Sequence, residues 1–277
     1  MTRSFPDLLA DVRVVIKGAG DLATGVAFRL WRAGFPVIMT ELSQPLAIRR
    51  AAVFAEAVYA GKVVLEGIEA RRVDDPAQAE AALQAGVLPV LVDATPAAIA
   101  ALRPEVIVDG IMAKRNTGTG ITDAPLVIAL GPGFVAGRDV HAVIETSRGH
   151  YLGRVLWEGA AQANTGVPGE VGGQSHKRVV YPPCAGIFQS AVTIGTLARE
   201  GDVLGHVDGV PVLAPTSGVV RGLLHDGLPV VPGLKIGDVD PRGIVEHCFT
   251  VSDKALAIGG GVLEAIMTHL SGQRRIP

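Results

Sequence analysis

Residues 12–41, VRVVIKGAGDLATGVAFRLWRAGFPVIMTE, decide the fold, because they run strand, glycine turn, helix and second strand in the order of a nucleotide-binding α/β unit. The mostly apolar run at 12–16 is typical of a buried parallel strand. Gly18 and Gly20 then allow a tight turn that brings backbone N–H groups against a phosphate, and the next helix points its positive N-terminus there. Glu41 lies 21 residues beyond Gly20, where an acidic side chain accepts hydrogen bonds from a ribose. The opening domain is therefore predicted to be Rossmann-like.

Two residues depart from the usual dinucleotide fingerprint. Ala23 stands where the third glycine is expected, a change that helix–strand packing tolerates. Asp21 puts a carboxylate at the mouth of the phosphate site, where it repels a pyrophosphate unless it faces away. Two interpretations stay open: the turn binds a nucleotide or nucleotide-like ligand, or Asp21 merely caps the helix and the turn binds no dinucleotide.

Composition limits the class of protein. The 277 residues suit one large or two modest domains, with an ordinary globular balance of 48% apolar and 19% charged residues. A net charge of −2 without a dense basic run argues against a nucleic-acid or anionic-membrane partner. No apolar run approaches the ~18 residues of a membrane-spanning helix. Cys184 and Cys248 lack metal or disulfide spacing, so a soluble cytoplasmic protein in which both are small buried hydrophobes is expected.

Two further strands of the same sheet are predicted at LPVLVDAT, residues 88–95, and VIVDGIMA, residues 106–113, with a crossover helix at Pro96–Leu102 between them. Asp93 and Asp109 each end one of these strands. Because the carboxyl ends of parallel strands line the ligand crevice, both aspartates are predicted to face the same region as the glycine turn.

The residues after the second of these strands extend the candidate site. Lys114 and Asn116, in the segment KRNT at 114–117, are predicted to reach the crevice together with Asp93 and Asp109. The alternative is that the two aspartates accept hydrogen bonds from loop amides and that the basic residues are solvated.

Other segments of this half carry simpler expectations. Leu46–Val58 is predicted to be helical, VVLEG and IEARRV form a hairpin around Gly67, and a helix resumes near Asp75–Gln84. Arg49 and Arg50 either meet a phosphate on the ribose or form the polar face of a helix.

From about residue 125 glycine and proline become frequent and the short runs are β-like, which predicts a Rossmann-like domain at 1–124 and a β-rich domain at 125–277. His141, Glu145 and His150 superficially resemble metal ligands. The first two would lie more than ~12 Å apart along a strand, so no metal site is predicted. Glu145 and Arg148 are expected to form an ion pair near the crevice or to contact a ligand.

Residues 186–240 contain a weak duplication, TLAREGDVLGHVDGV echoed by RGLLHDGLPVVPGLKIGDVD, that resembles the barrel-sandwich fold of biotinyl and lipoyl carrier domains. The hairpin DGVPVLAPTSG lacks the lysine that a carrier needs, and Lys235 lies outside it, which favours a structural or docking module. The stretch at 252–270 predicts a C-terminal helix that packs on the core, with its three glycines allowing close contact. A homodimer interface is the alternative.

Several long motifs occur in a fixed order: GAGDLATGVAFRLWRAGF, ELSQPLAIRRAAVFAEAVYAGKVVLEG, DGIMAKRNTGT, GPGFVAGRDVHAVIETSRGHYLGRV, NTGVPG and LPVVPGLKIGDVDPR. From about residue 12 to 268 the pattern resembles the YqeB-type accessory proteins of selenium-dependent molybdenum hydroxylase systems, which are related to xanthine dehydrogenase accessory factors. Gly18, Gly20 and Asp21 match the glycine motif of those factors. The resemblance implies a maturation factor that binds a nucleotide or molybdopterin-type cofactor in the crevice and contacts an apo molybdenum hydroxylase.

An NAD(P)-dependent oxidoreductase is the alternative function, motivated by the spacing from the glycine turn to Glu41. Such an enzyme needs a proton donor near the nicotinamide, for which His141, His150 and Tyr151 are the candidates. The sequence contains no recognisable nucleophile–base set, so no reaction is predicted.

Overall fold

The computed structural model describes residues 9–164 and 176–272. All but the first residue of the NTGVPG motif therefore lies outside the described residues. The chain divides into two compact units. Among the described residues, the first, the Rossmann-like unit, comprises residues 9–45, 54–164 and 251–272, and the second, the β-rich unit, comprises residues 46–53 and 176–250.

A nine-stranded, mainly parallel sheet forms the centre of the Rossmann-like unit, which confirms the predicted α/β class. Its order is β3-β4-β5-β2-β1-β6-β7-β8-β9, and only the edge strands β3 and β9 run antiparallel to their neighbours. The central strands are continuous apolar runs because both faces of the sheet are covered. The strands are β1 (Val14–Lys17), β2 (Val37–Glu41), β3 (Lys62–Leu65), β4 (Ile68–Val73), β5 (Leu88–Val92), β6 (Val106–Asp109), β7 (Leu126–Leu130), β8 (Ala142–Ile144) and β9 (Val155–Leu156).

Three of the described helices begin where the sequence supplies a capping side chain. Asp75 and Thr95 accept backbone N–H groups at the starts of two helices that have proline in their first turn, and Ser252 caps the C-terminal helix. The helices are α1 (Asp21–Arg32), α2 (Ala57–Ala60), α3 (Pro76–Gln84), α4 (Pro96–Ala101) and α5 (Asp253–Leu270). No helix of the described ranges is long and apolar enough to cross a membrane.

The prediction of a helix at Leu46–Val58 is wrong over most of its length. The segment contains two short 3-10 turns, Arg50–Ala52 and Phe54–Glu56, before α2 begins. The carbonyl of Ile48 accepts the N–H of Leu223 at 2.8 Å, and this pairing within the β-rich unit replaces the local helical bonds.

The domain boundary also differs from the one predicted at residue 125. Strands β7 and β8 run parallel to β6 in the same sheet, so the Rossmann-like unit continues beyond that residue. The connections into β7 and β8 are irregular loops instead of helices, which explains why helical periodicity is scarce there although the strands are parallel. The C-terminal helix belongs to this unit and not to the β-rich unit.

Helices α1 and α5 approach each other closely through small residues. A Cβ added to Gly25 would lie 2.5 Å from Ala255, and one added to Gly259 would lie 2.5 Å from the carbonyl oxygen of Gly25. A Cβ on Gly261 would collide with the carbonyl oxygen of Gly153. Gly259 and Gly261 therefore allow close contact, as predicted, whereas a Cβ on Gly260 would meet nothing within 4 Å, and α5 packs on the core.

The β-rich unit contains two four-stranded antiparallel sheets, ordered β10-β17-β15-β12 and β14-β13-β11-β16. This confirms a β-rich region, while the likeness to a barrel sandwich stays an interpretation. Lys235 lies 3.9 Å from the carboxylate of Asp238. The strands are β10 (Val179–Val180), β11 (Gly186–Ser190), β12 (Leu197–Ala198), β13 (Val203–Val207), β14 (Val210–Leu213), β15 (Gly218–Leu223), β16 (Pro229–Val230) and β17 (Gly237–Asp240).

The interior of the β-rich unit holds charged and thiol groups. Burial by itself raises the pKa of Asp240, but hydrogen bonds from Arg242 and the charge of Arg221 lower it overall. Both cysteines are free thiols. Cys248 is fully buried, as expected, and burial raises the pKa of its thiol, whereas Cys184 is half-buried.

Two adjacent glycines of α5 test the close packing against α1. Gly259→Ala should lower the free energy of unfolding by ~1–3 kcal/mol, because the added methyl overlaps the Gly25 carbonyl. Gly260→Ala meets nothing within 4 Å and should raise it by up to ~1 kcal/mol through better helix propensity. Urea denaturation measures both values, and equal changes in the two variants would contradict the packing described.

Candidate functional site

The glycine turn lies at the carboxyl edge of the parallel sheet, directly after β1. Gly18 has a φ of +93°, and a Cβ there would lie 3.2 Å from the carbonyl oxygen of Gly110, so glycine is required. A Cβ on Gly110 would in turn lie 2.9 Å from that of Ala23, which explains why a small residue suffices at the third fingerprint position. Gly20 is the N-cap of α1, and a Cβ added to it would contact nothing within 4 Å.

A buried threonine supports the turn from inside the unit. The hydroxyl of Thr24 donates to the carbonyl oxygen of Ala19 at 3.1 Å and accepts the N–H of Phe54 at 3.0 Å. The N–H of Ala55 donates to the same Ala19 carbonyl at 3.0 Å. The turn is therefore rigidly held before any ligand binds.

Glu41 lies beside this turn at the end of β2. One of its carboxylate oxygens accepts the N–H of Ala19 at 2.8 Å, and the other accepts the N–H of Leu42 at 2.8 Å. The side chain is half-buried. The structure thus brings Glu41 and the glycine turn into direct contact, with carboxylate lone pairs still available to a ligand hydroxyl.

Asp93 lies directly after β5 and Asp109 is the last residue of β6, and the two side chains form different hydrogen bonds. Asp93 is exposed and accepts the N–H of Ser43 at 2.9 Å, so it closes a loop. Asp109 is buried and accepts the Thr119 hydroxyl at 2.6 Å and the N–H of Ile111 at 3.2 Å. Both aspartates therefore accept hydrogen bonds from loop N–H groups, as the alternative interpretation expects, and Asp109 also belongs to a network of side chains.

That network continues to Lys17, the last residue of β1. The Lys17 ammonium donates to the Thr119 hydroxyl at 2.6 Å, and that hydroxyl donates to Asp109. Lys17 and Asp109 are register neighbours in the β1–β6 pair. In the sheet, β2 lies on one side of β1 and β6 on the other, so the order of the strands reverses between β1 and β6. The network crosses this switch point, which is where ligands of open α/β folds bind.

Lys114 and Asn116 lie in the exposed loop that the network anchors. The Asn116 side chain accepts the N–H groups of Gly118 and Thr119 and donates to the Thr119 carbonyl, so it shapes the loop. Lys114 has a left-handed φ of +60°, and its backbone packs against Gly133, which has no room for a Cβ.

The charge of Asp21 acts on Lys254, a lysine that the sequence did not single out. Gly20 is the N-cap, so Asp21 is a first-turn residue and not the cap. Lys254, in the first turn of α5, is half-buried, and burial lowers its pKa. The cation Arg148 lowers it further, while the charges of Asp21, Glu145 and Asp253 oppose this.

Glu145 and Arg148 bind partners other than each other. The Glu145 carboxylate accepts the N–H groups of Ser147 and Gln162, at 2.7 and 2.8 Å. Arg148 forms a two-pronged ion pair with Asp253, at 2.8 and 3.0 Å. The expected ion pair between Glu145 and Arg148 is therefore replaced by the pair between Arg148 and Asp253. The two residues lie in the turn after β8, where Arg148 contacts the start of α5.

Three other predicted candidates form hydrogen bonds with backbone groups of their own unit. His141 precedes β8, and its ring accepts the N–H of Val127 near the start of β7, which is the amino edge of the sheet. Arg49 donates to the carbonyls of His247 and Thr250, and Arg50 donates to that of Leu223, all within the β-rich unit.

His150 and Tyr151 line a separate pocket of about 690 Å³ in the Rossmann-like unit, formed by residues 150–158 and Glu264. The two rings meet edge to face at 5.0 Å, and the Arg154 guanidinium lies 4.9 Å from the Tyr151 ring centre. None of the residues that line this pocket belongs to the glycine turn. No group of three or more His, Cys, Asp or Glu side chains among the described residues could hold a metal ion.

Lys17, Thr119 and Lys254 are the residues that sequence reasoning missed. Lys17 carries a local indication, because a lysine ends an otherwise apolar strand just before the turn. Thr119 and Lys254 carry none, since loop folding and the α1–α5 contact bring them to this edge.

The fold and this edge define a Rossmann-like α/β protein whose glycine turn is joined to an acidic residue at the end of the second strand. No protein-family model matches the chain. The chain is 53% identical over 254 residues to the protein named "Uncharacterized protein YqeB" of Escherichia coli strain K12. The match covers 92% of this chain and 47% of YqeB, so the chain spans about half the length of that relative. The resemblance to YqeB-type proteins is confirmed over the matched part.

Solved structures resemble the chain only weakly. The E. coli tRNA N6-threonylcarbamoyladenosine dehydratase TcdA, crystallised with ATP, has a TM-score of 0.35 and 14% identity, covering 97% of this chain and 91% of TcdA. An aspartoacylase family protein from Mesorhizobium loti has a TM-score of 0.26 and 11% identity, covering 82% and 84%. Likeness at this level carries no argument about fold or ligand.

The surroundings of Lys254 predict how its amine reacts. Because burial lowers its pKa, Lys254 should become reactive to acetic anhydride at a lower pH in the folded protein than in the urea-unfolded protein, as measured by mass spectrometry of the labelled peptide. Arg148→Gln removes a cation and should move the Lys254 midpoint to higher pH, whereas Asp21→Asn removes an anion and should move it lower. Shifts in the same direction would contradict this electrostatic account.

Proposed function

We propose that the glycine turn binds a nucleotide-bearing ligand and that the protein is an accessory factor in the maturation of a molybdenum hydroxylase, of the selenium-dependent type. The observation that carries the binding proposal is the hydrogen bond between Glu41 and the Ala19 N–H, at 2.8 Å. It supports a ribose site directly beside a phosphate site, which is the spacing of a nucleotide.

The chemistry of Glu41 favours a free ribose diol. A carboxylate offers about four lone-pair positions, and two of them accept the Ala19 and Leu42 N–H groups. The remaining positions suit the 2′- and 3′-hydroxyls. A 2′-phosphate would be repelled by Glu41, and Arg49 and Arg50 are engaged with backbone carbonyls instead.

A molybdopterin dinucleotide fits the same edge. The space over Gly20, where a Cβ meets nothing within 4 Å, admits a phosphate to the N-terminus of α1. When bound, such a cofactor would supply the molybdenum chemistry of its enzyme, and the role of this chain would be to hold its nucleotide half.

The support for the maturation role is the sequence resemblance, together with the 53% identity to YqeB. In this proposal the partner is an apo molybdenum hydroxylase, and the β-rich unit is the docking module. The absence of a lysine from the hairpin DGVPVLAPTSG favours docking over a swinging arm.

Gly20 provides a test of the ligand site. Gly20→Ala should leave the thermal midpoint of unfolding nearly unchanged, because the methyl enters open space, yet it should weaken nucleotide binding ~10-fold or more by blocking backbone approach. Calorimetric titration with ATP, NADH, NADPH and a molybdopterin dinucleotide measures the affinities, and Gly260→Ala is the matched control. If the wild-type protein binds none of them, or Gly20→Ala binds as well as wild type, the binding proposal fails.

Glu41 provides a test of ribose recognition. Wild-type protein should bind ATP ~10-fold more tightly than 2′-deoxy-ATP, because a hydrogen bond to a charged group is lost. Glu41→Gln should weaken ATP binding and reduce that preference. An unchanged preference in the double-mutant cycle would show that the ribose lies elsewhere.

The maturation role needs a separate experiment. The protein should co-purify with the hydroxylase apoenzyme and retain a pterin detectable by native mass spectrometry, and Gly20→Ala should lose the pterin but keep the partner. Failure of the wild-type protein to retain pterin or partner would reject this role. The nucleotide site would then be supported or rejected by the titrations alone.

An NAD-dependent oxidoreductase is the second candidate. Glu41 favours NADH over NADPH, and Lys254 supplies a titratable group near Asp21 that the sequence candidates did not include. His141 is unsuited as proton donor, because it lies at the opposite edge of the sheet. Selective binding of NADH over ATP and molybdopterin dinucleotide would favour this candidate.

A further inference from the structure

Lys17 is a cation at the switch point of the sheet, and its ammonium is held by a hydrogen bond to Thr119. Its ammonium carries three N–H donors, and the Thr119 hydroxyl accepts one of them at 2.6 Å. The residue is half-buried, whereas Thr119 and Asp109 are each 2% exposed. The Thr119 and Asp109 side chains are therefore closed to a ligand, whereas part of Lys17 reaches the surface.

The two buried partners hold the ammonium in one place. The Thr119 hydroxyl accepts from Lys17 and donates to Asp109, which also accepts the Ile111 N–H. Asp109 compensates the charge of Lys17 through Thr119, and Asn116 fixes the backbone on both sides of Thr119. A flexible lysine is thus converted into a donor of fixed direction, which reduces the entropy lost when it binds an anion.

We infer that Lys17 binds a phosphate of the nucleotide ligand, with Thr119 and Asp109 as its positioning residues. The inference rests on the proposed nucleotide site and deepens it, because it divides that site into two parts. Glu41 recognises the ribose, and Lys17, which directly precedes the glycine turn, recognises the phosphate. The ligand class is then a nucleoside di- or triphosphate or a dinucleotide, and not a nucleoside.

Comparison of ATP with adenosine isolates the phosphate contact. Wild-type protein should bind ATP ~10- to 100-fold more tightly than adenosine, the range expected for a hydrogen bond to a charged group. Lys17→Met alone leaves the buried Asp109 uncompensated and is expected to impair folding. The double variant Lys17→Met/Asp109→Asn removes both charges, and the amide introduced at position 109 can still bond the Thr119 hydroxyl.

The double variant should lose most of the ATP-over-adenosine preference while keeping its adenosine affinity. Lys62→Met, which removes an exposed lysine from β3, is the matched control and should keep the preference. Circular dichroism and the thermal midpoint verify folding of each variant.

Thr119 distinguishes positioning from simple structural support. Thr119→Val should reduce the preference for ATP, and Thr119→Ser should restore it, because only the serine retains the bridging hydroxyl. The dependence of ATP affinity on salt should also become shallower in the double variant, since one phosphate contact is lost.

The outcomes separate the two proposals. If the wild-type protein binds neither ATP nor adenosine, the nucleotide site and this inference both fail. If it binds both, and the double variant or Thr119→Val keeps the full preference for ATP, the inference alone fails and the Glu41 site stands.

Discussion

The hydrogen bond from the Ala19 N–H to the Glu41 carboxylate is the constraint on which the architecture of the site depends. It joins the loop after β1 to the end of β2, so the position of the turn and the position of the acid are not independent. Thr24 holds the same turn from the core side through the Ala19 carbonyl. Both backbone polar groups of Ala19 therefore form hydrogen bonds within the protein, and the turn is preorganised.

A second constraint is the absence of side chains where α1 meets α5. Gly25 and Gly259 let the helix backbones approach closely, and Ala255 fills the remaining contact. Contact at these positions aligns the first turn of α5 with that of α1, which brings Lys254 into the electrostatic environment of Asp21. Small residues far apart in sequence thus determine which charges surround the candidate site.

The sequence predicted correctly those features whose residues lie close together along the chain. The order β1, turn, α1 and β2 and the position of Glu41 follow from short spacings, and Asp109 follows from the end of a recognisable strand. The sequence did not predict that β7 and β8 belong to the parallel sheet. In the described part of the chain no helices connect these strands, so their segments resemble a separate β-rich domain. Lys254 could not be found, since a helix more than 200 residues beyond the turn carries it.

The number of acidic residues near the turn does not by itself exclude an anionic ligand. Asp21, Glu41 and Asp109 together would repel a phosphate, but each acts within the protein: on Lys254, on two backbone N–H groups, and on the Thr119 hydroxyl with the Ile111 N–H. Hydrogen bonds and nearby cations partly offset these charges, although Glu41 still repels a phosphate placed directly against it. In the proposed site, the cation available to a phosphate at the switch point is Lys17, whose ammonium donates to the Thr119 hydroxyl. The acidic appearance of this glycine turn is therefore compatible with an anionic ligand.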